Sequence, residues 1–270
     1  MLPKILITSG IHPEEEAGVL FLQSFNKYSE WDDVMSITVI PWRNTYGFFI
    51  SEHLKLDHTY MVCDFGDFYF ANKRLLFVPS LLYLRNHKDC DFMDLICGSL
   101  SDKGFEGFLD VLSVRKSSQL HANSFYVCEG KFFDLNSRSS IVDKVFEFST
   151  NNLLRTHNPN YFIDLHESRG KECFLYVSRN DPKAIALSHE IVGALTSKGV
   201  PIRDSAVDRE RIQTGVFALE SFSDYCYYPD RNPVEIVFET GIDSSIENRI
   251  SWMKLFVNTF LHLFKTMNND

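Results

Sequence analysis

The sequence has six cysteines (Cys63, Cys90, Cys97, Cys128, Cys173 and Cys226) but no C-x-x-C pair and no dense cysteine framework. A small disulfide-stapled fold is therefore excluded, and the cysteines are expected as reduced thiols in or near the core. It has no basic run. Lys and Arg number 27 against 36 Asp and Glu, a net charge of −9, so neither nucleic acid nor an anionic membrane surface is an expected partner. No apolar run approaches the ~20 residues that a membrane span needs. Residues 1–9 show no charged leader ahead of a long apolar stretch, and the cytoplasm is the expected location. Internal repeats and low-complexity segments are absent as well.

What remains is ordinary globular composition, 44% hydrophobic and 23% charged over 270 residues, enough for one substantial core in a single domain. Lys4–Thr8 is a short apolar run before Ser9-Gly10, which predicts a buried strand ending in a turn. Pro13 and the glutamates after it suit a helix start, where the macrodipole favours acids. Ser36–Pro41 predicts a second strand of the same buried kind, and the two strands suggest a βαβ unit. Residues 50–115 hold no lasting periodicity and are expected as an inserted subdomain. Strands are predicted near 124–128, 161–165, 173–177 and 234–238, with helices near 140–154 and 183–197. Ile246, Ile250, Met253, Val257, Phe260 and Phe264 recur every three or four residues, the core stripe of a final helix. This alternation predicts an α/β fold.

Three predicted strand ends carry residues fit for chemistry. Gly10-Ile11-His12-Pro13-Glu14-Glu15 follows the first strand with a histidine and, three residues on and within the expected first helical turn, a carboxylate; both can converge on one ion. Phe162-Ile163-Asp164-Leu165-His166-Glu167 ends a second strand in a histidine, and alternation sets Asp164 and His166 on one face. Val234–Gly241 ends a third with Glu239, on the face opposite Ile236 and Phe238. Each has a bland reading alone: acids at a helix dipole, a histidine at a strand terminus, a polar strand face. Together, two histidines and one carboxylate are a known catalytic zinc set that leaves a position for water. A nearby unligated carboxylate can then take that water's proton.

These segments resemble the zinc carboxypeptidase family, in family order. Gly10–Glu15 resembles the strand-loop-helix bearing the first His and Glu ligands. Pro41–Phe48 resembles P-x-x-N-P-x-G-[FY], Asp134–Ser137 resembles D-x-N-R, Ile163–His166 the strand giving the last ligand, and Ser223–Tyr225 the S-x-D-W turn. Phe238-Glu239 falls where the family keeps its catalytic glutamate; residues 50–110 are unmatched. The resemblance implies a three-layer α/β/α fold with a mixed central sheet, and one Zn²⁺ per chain held by His12, Glu15 and His166. It implies Glu239 as the base, Arg115 as the cation stabilising the oxyanion, and Asp134 accepting from the other ring nitrogen of His12. Asn136 would bind a terminal carboxylate. The chain departs from the pattern at Ser137, where an arginine is usual; Arg138 follows one place later. The family's tyrosine is not cleanly matched: Phe217 lies near the expected spacing, and Tyr225, Tyr227 and Tyr228 lie nearby.

The expected activity is hydrolysis of an amide bond, most directly release of a C-terminal residue from a peptide or small amino-acid conjugate. Asp-Leu-His also marks the succinylglutamate desuccinylase and aspartoacylase relatives, so deacylation of an N-acyl amino acid is the near alternative. A non-catalytic zinc-binding homologue is the distant one.

Overall fold

The computed structural model describes residues 2–12, 15–25, 31, 33–44, 125–128, 131–136, 140–205, 210–219 and 233–267. The predicted inserted subdomain at 50–115 lies outside the described residues. By proximity the chain divides into two compact units, one of residues 1–10, 15–43 and 154–270, the other of residues 11–14 and 44–153.

The first unit is built on a seven-stranded sheet. Its strands are β1 (Lys4–Ser9), β2 (Ser36–Ile40), β5 (Tyr161–Ser168), β6 (Phe174–Val177), β7 (Arg211–Gln213), β8 (Val216–Ala218) and β9 (Val234–Gly241). They lie in the order β2-β1-β5-β9-β6-β8-β7. The four from β2 to β9 run parallel, β6 opposes β9, β8 follows β6, and β7 opposes β8. The sheet is mixed and the fold α/β, as expected. β1 is buried from Ile5 to Ser9 and β5 from Tyr161 to Glu167, the near-continuous burial of strands covered on both faces.

Helix α5 (Ile246–Met267) packs on both α1 (Glu16–Gln23) and α4 (Pro182–Ser197), and all three pack on one face of this sheet. That face is apolar: Ile5, Ile7, Ile163, Leu165, Leu175, Ile236 and Phe238 join Met253, Val257, Phe260 and Phe264 of α5 in one core. The predicted stripe of α5 is thus buried from Met253 onward, and Phe256 stacks on Phe238 with centroids 4.3 Å apart. Asp181 caps α4 by accepting from the backbone N–H groups of Lys183 and Ala184, with Pro182 opening the helix one residue ahead of its predicted start.

In the second unit, β3 (Phe125–Cys128) and β4 (Lys131–Asp134) form an antiparallel pair. The single helix predicted at 140–154 is instead two, α2 (Ser140–Val145) and α3 (Thr150–His157). Ser149 Oγ accepts from the Asn152 N–H at 3.2 Å, and the Asn152 amide donates to the carbonyls of Asp143 and Phe146. A serine that caps the second helix ends the first. β4, β7 and β8 were not predicted, and β5 and β9 run three residues beyond their predicted ends. That extension puts His166 and Glu239 inside strands.

Candidate metal centre

β1 leaves the sheet at Gly10, whose φ is +68°. A Cβ there would come within 2.8 Å of a Val19 methyl and 2.9 Å of the Pro41 carbonyl oxygen, so only glycine fits the turn. Gly18 allows α1 a close approach: a Cβ would lie 2.8 Å from Ser9 Cβ and 3.2 Å from Leu165 Cβ. The start of α1 is thereby pressed against the ends of β1 and β5. Glu15 stands at the N-cap position with φ −89° and ψ 75°, one residue ahead of the helix rather than within its first turn as expected.

Glu15 is 2% exposed and its Oε2 lies 3.0 Å from His166 Nδ1; His166 is 3% exposed. His12 precedes Glu15 by three residues and is 8% exposed. His12, Glu15 and His166 each offer one ligand atom, and these atoms all lie within 4.8 Å of one another. Two imidazoles and one carboxylate, all buried, match the donor set that zinc takes in open catalytic sites. A buried carboxylate also needs a positive partner nearby.

Glu239 is half-buried on β9. Its register partner on the parallel neighbour β5 is His166, and paired residues of adjacent strands share a face about 4.8 Å apart. The predicted base therefore stands beside the predicted last ligand. Of the other expected site residues, Asn136 is half-buried in the turn after β4, and Asp134 closes β4, where only its backbone is described. Arg115, Arg138, Tyr225, Tyr227 and Tyr228 lie outside the described residues, as do residues 45–48 and Ser223–Tyr225 of the matched motifs. Phe217 is fully buried, edge-on to Phe174 and Tyr176.

The tertiary structure adds residues to which the sequence reading gave no role. Asp164 Oδ2 lies 3.1 Å from His166 Nε2, on the ring edge away from Glu15. Arg43 Nη1 donates to Asp164 Oδ2 at 2.6 Å, and Thr8 Oγ1 donates to Oδ1 at 2.6 Å. Burial alone would raise the Asp164 pKa. Arg43 foremost, then His166 and the hydrogen bonds from His166 and Thr8, hold it well below the usual carboxylate range. For His166 burial favours the neutral ring, but Glu15 and then Asp164 outweigh it and raise the pKa well above the ordinary value. Glu167 points to the opposite face, where Arg249 Nη1 of α5 meets its Oε1 at 2.5 Å. Burial, with Glu15 adding and Arg249 opposing, pushes its pKa up to about 7. Asp164 was legible as sharing a face with His166; its second partner, Arg43, was legible only as part of the Pro41–Phe48 segment after β2.

Among the described residues no helix is long and apolar enough to cross a membrane. No protein-family model matches the sequence, and no curated protein does. Solved structures do resemble the fold. One, described as a "putative metallopeptidase" from Shewanella amazonensis SB2B, aligns with a TM-score of 0.51 at 19% identity, over 97% of this chain and 77% of that one. Another of the same description, from Shewanella baltica OS155, aligns with a TM-score of 0.51 at 17% identity, over 97% and 76%. The likeness is one of fold, and it spans almost the whole of this chain.

Proposed function

We propose that this chain is a zinc-dependent hydrolase of amide bonds, acting as a carboxypeptidase that releases a C-terminal residue from a peptide or small amino-acid conjugate. The observation that carries the reading is the convergence of His12, Glu15 and His166, buried and with ligand atoms within 4.8 Å of one another, beside Glu239 on the next strand. The shared fold with proteins described as metallopeptidases supports it.

In this reading His12, Glu15 and His166 hold one Zn²⁺. When bound, zinc supplies Lewis acidity, polarising the scissile carbonyl and acidifying water. Glu239 takes the proton from the attacking water and hands it to the leaving amine. Asn136 and Arg138 bind the substrate's terminal carboxylate, and Arg115 stabilises the developing oxyanion. Asp134 orients His12.

Metal analysis of the purified protein tests the centre: one zinc per chain is expected in the wild type and none in His166→Ala. A panel of dipeptides and N-acyl amino acids tests the reaction. Turnover confined to acyl conjugates would replace peptidase by deacylase, and zinc without any turnover would end the enzymatic reading.

A further inference from the structure

Arg43 is among the largest side chains of the described residues with no exposed surface. A guanidinium is costly to bury unless paired, and its partner is a carboxylate that does not stop at the ion pair. Asp164 is approached from β1, from the segment after β2 and from within β5 itself. Thr8 on β1 reaches one oxygen, Arg43 just beyond β2 reaches the other, and the ring of His166 on β5 meets that second oxygen as well. The backbone of Arg43 is itself tied down, its N–H donating to the Ser9 carbonyl at 3.1 Å. Asp164 is thus held by groups whose backbones belong to the rigid sheet or are bonded to it. Its free acceptor capacity faces His166 Nε2, which leaves Nδ1 on the side of Glu15, 3.0 Å from Oε2.

We propose that Arg43 is a positioning residue which, through Asp164, fixes the ring of His166 with Nε2–H as donor and the Nδ1 lone pair turned toward Glu15 and the metal. This rests on the metal-centre reading above. Ligating imidazoles are commonly oriented by a carboxylate on the far nitrogen, and removing such a partner weakens metal binding roughly 10–100-fold. Here the orienting carboxylate is in turn held by a buried arginine, so the effect should reach Arg43, which is not one of the three ligands.

A purely structural ion pair is the competing account, and the paired substitution Arg43→Met with Asp164→Leu separates the two. Removing both buried charges together often leaves stability little changed, so a structural pair would be replaced without consequence for the metal. Zinc affinity, measured by competition with a chromophoric chelator, is expected to fall roughly 10–100-fold in this double variant. The visible absorption bands of the Co²⁺-substituted protein are expected to shift. Arg43→Lys keeps the charge and should recover part of the affinity; Thr8→Val should show a smaller loss. A folded double variant with wild-type zinc affinity and an unshifted cobalt spectrum overturns the proposal. Should the double variant fail to fold, unchanged affinity in both Arg43→Lys and Thr8→Val overturns it instead. A wild type that binds no zinc removes the metal centre itself, an outcome distinct from both.

Discussion

Along β5, Ile163 and Leu165 turn toward the helix-covered face of the sheet, while Asp164 and His166, their immediate neighbours, turn the other way. The same division runs along β9, where Ile236 and Phe238 enter the core and Glu239 pairs in register with His166. Ionisable groups behave differently on the two faces. Cys173, in the helix-side core, has its thiol pushed up to about 12, burial outweighing the Gly241 backbone and Arg203. Asp164 is buried as deeply, yet its carboxyl is held below the usual range because Arg43, His166 and Thr8 converge on it. Burial penalises charge on both faces; the partners around Asp164 outweigh it, and those near Cys173 do not. The strand ends that carry the candidate chemistry are backed, across a single layer of backbone, by an apolar core.

One substitution on each face of β9 should separate the two faces most strongly. Glu239→Gln should lower turnover by roughly 10²–10⁴-fold with zinc content unchanged; turnover near the wild-type rate would remove the residue from the proposed mechanism. Phe238→Ala, one position earlier, should lower stability by about 3–5 kcal/mol in urea denaturation while the folded fraction keeps its zinc. Equal effects of both changes on both measurements would mean that the faces are not functionally separate.

Cys173 sharpens the contrast through pH. Its thiol pKa lies near 12 in the folded chain against 9.0 for the unperturbed group. Between those values the unfolded chain releases a proton that the folded chain retains, so stability falls as pH rises through the window. At pH 10 the difference should be about 1.4 kcal/mol, read as the urea midpoint of wild type relative to Cys173→Ala at pH 8 and pH 10. A pH-independent difference would show the thiol to be less buried than the fold places it. The smallest effect expected lies at the end of a helix. Asp181→Ala should cost about 1 kcal/mol of stability without changing zinc content, and a change in metal binding would couple α4 to the centre.

Much of the architecture was legible because it rests on local pattern. The apolar runs of β1, β2, β5 and β9 and the stripe on α5 each declare a buried element over a few residues. Less regular pieces were not. β7 and β8 are three residues each, too short for periodicity to show, and the break between α2 and α3 depends on one serine becoming a cap. At the site, His12, Glu15, His166 and Glu239 stood out as chemistry-bearing residues at predicted strand ends; the first three offer ligand atoms within 4.8 Å of one another, and Glu239 pairs in register with His166. Arg43 did not stand out, because nothing within its own segment shows what it pairs with.

Alternation within β5 assigned Asp164 and His166 to a common face by sequence alone, since successive side chains of any strand point to opposite sides. Which strands lie beside β5 was a different matter. The order β2-β1-β5-β9 sets Thr8, Arg43 and Glu239 around those two residues from segments far apart in the chain. Such registers arise from the packing of whole faces against α1, α4 and α5, an energy summed over many distant contacts. Local sequence named the donors, and only the assembled sheet decided that they meet.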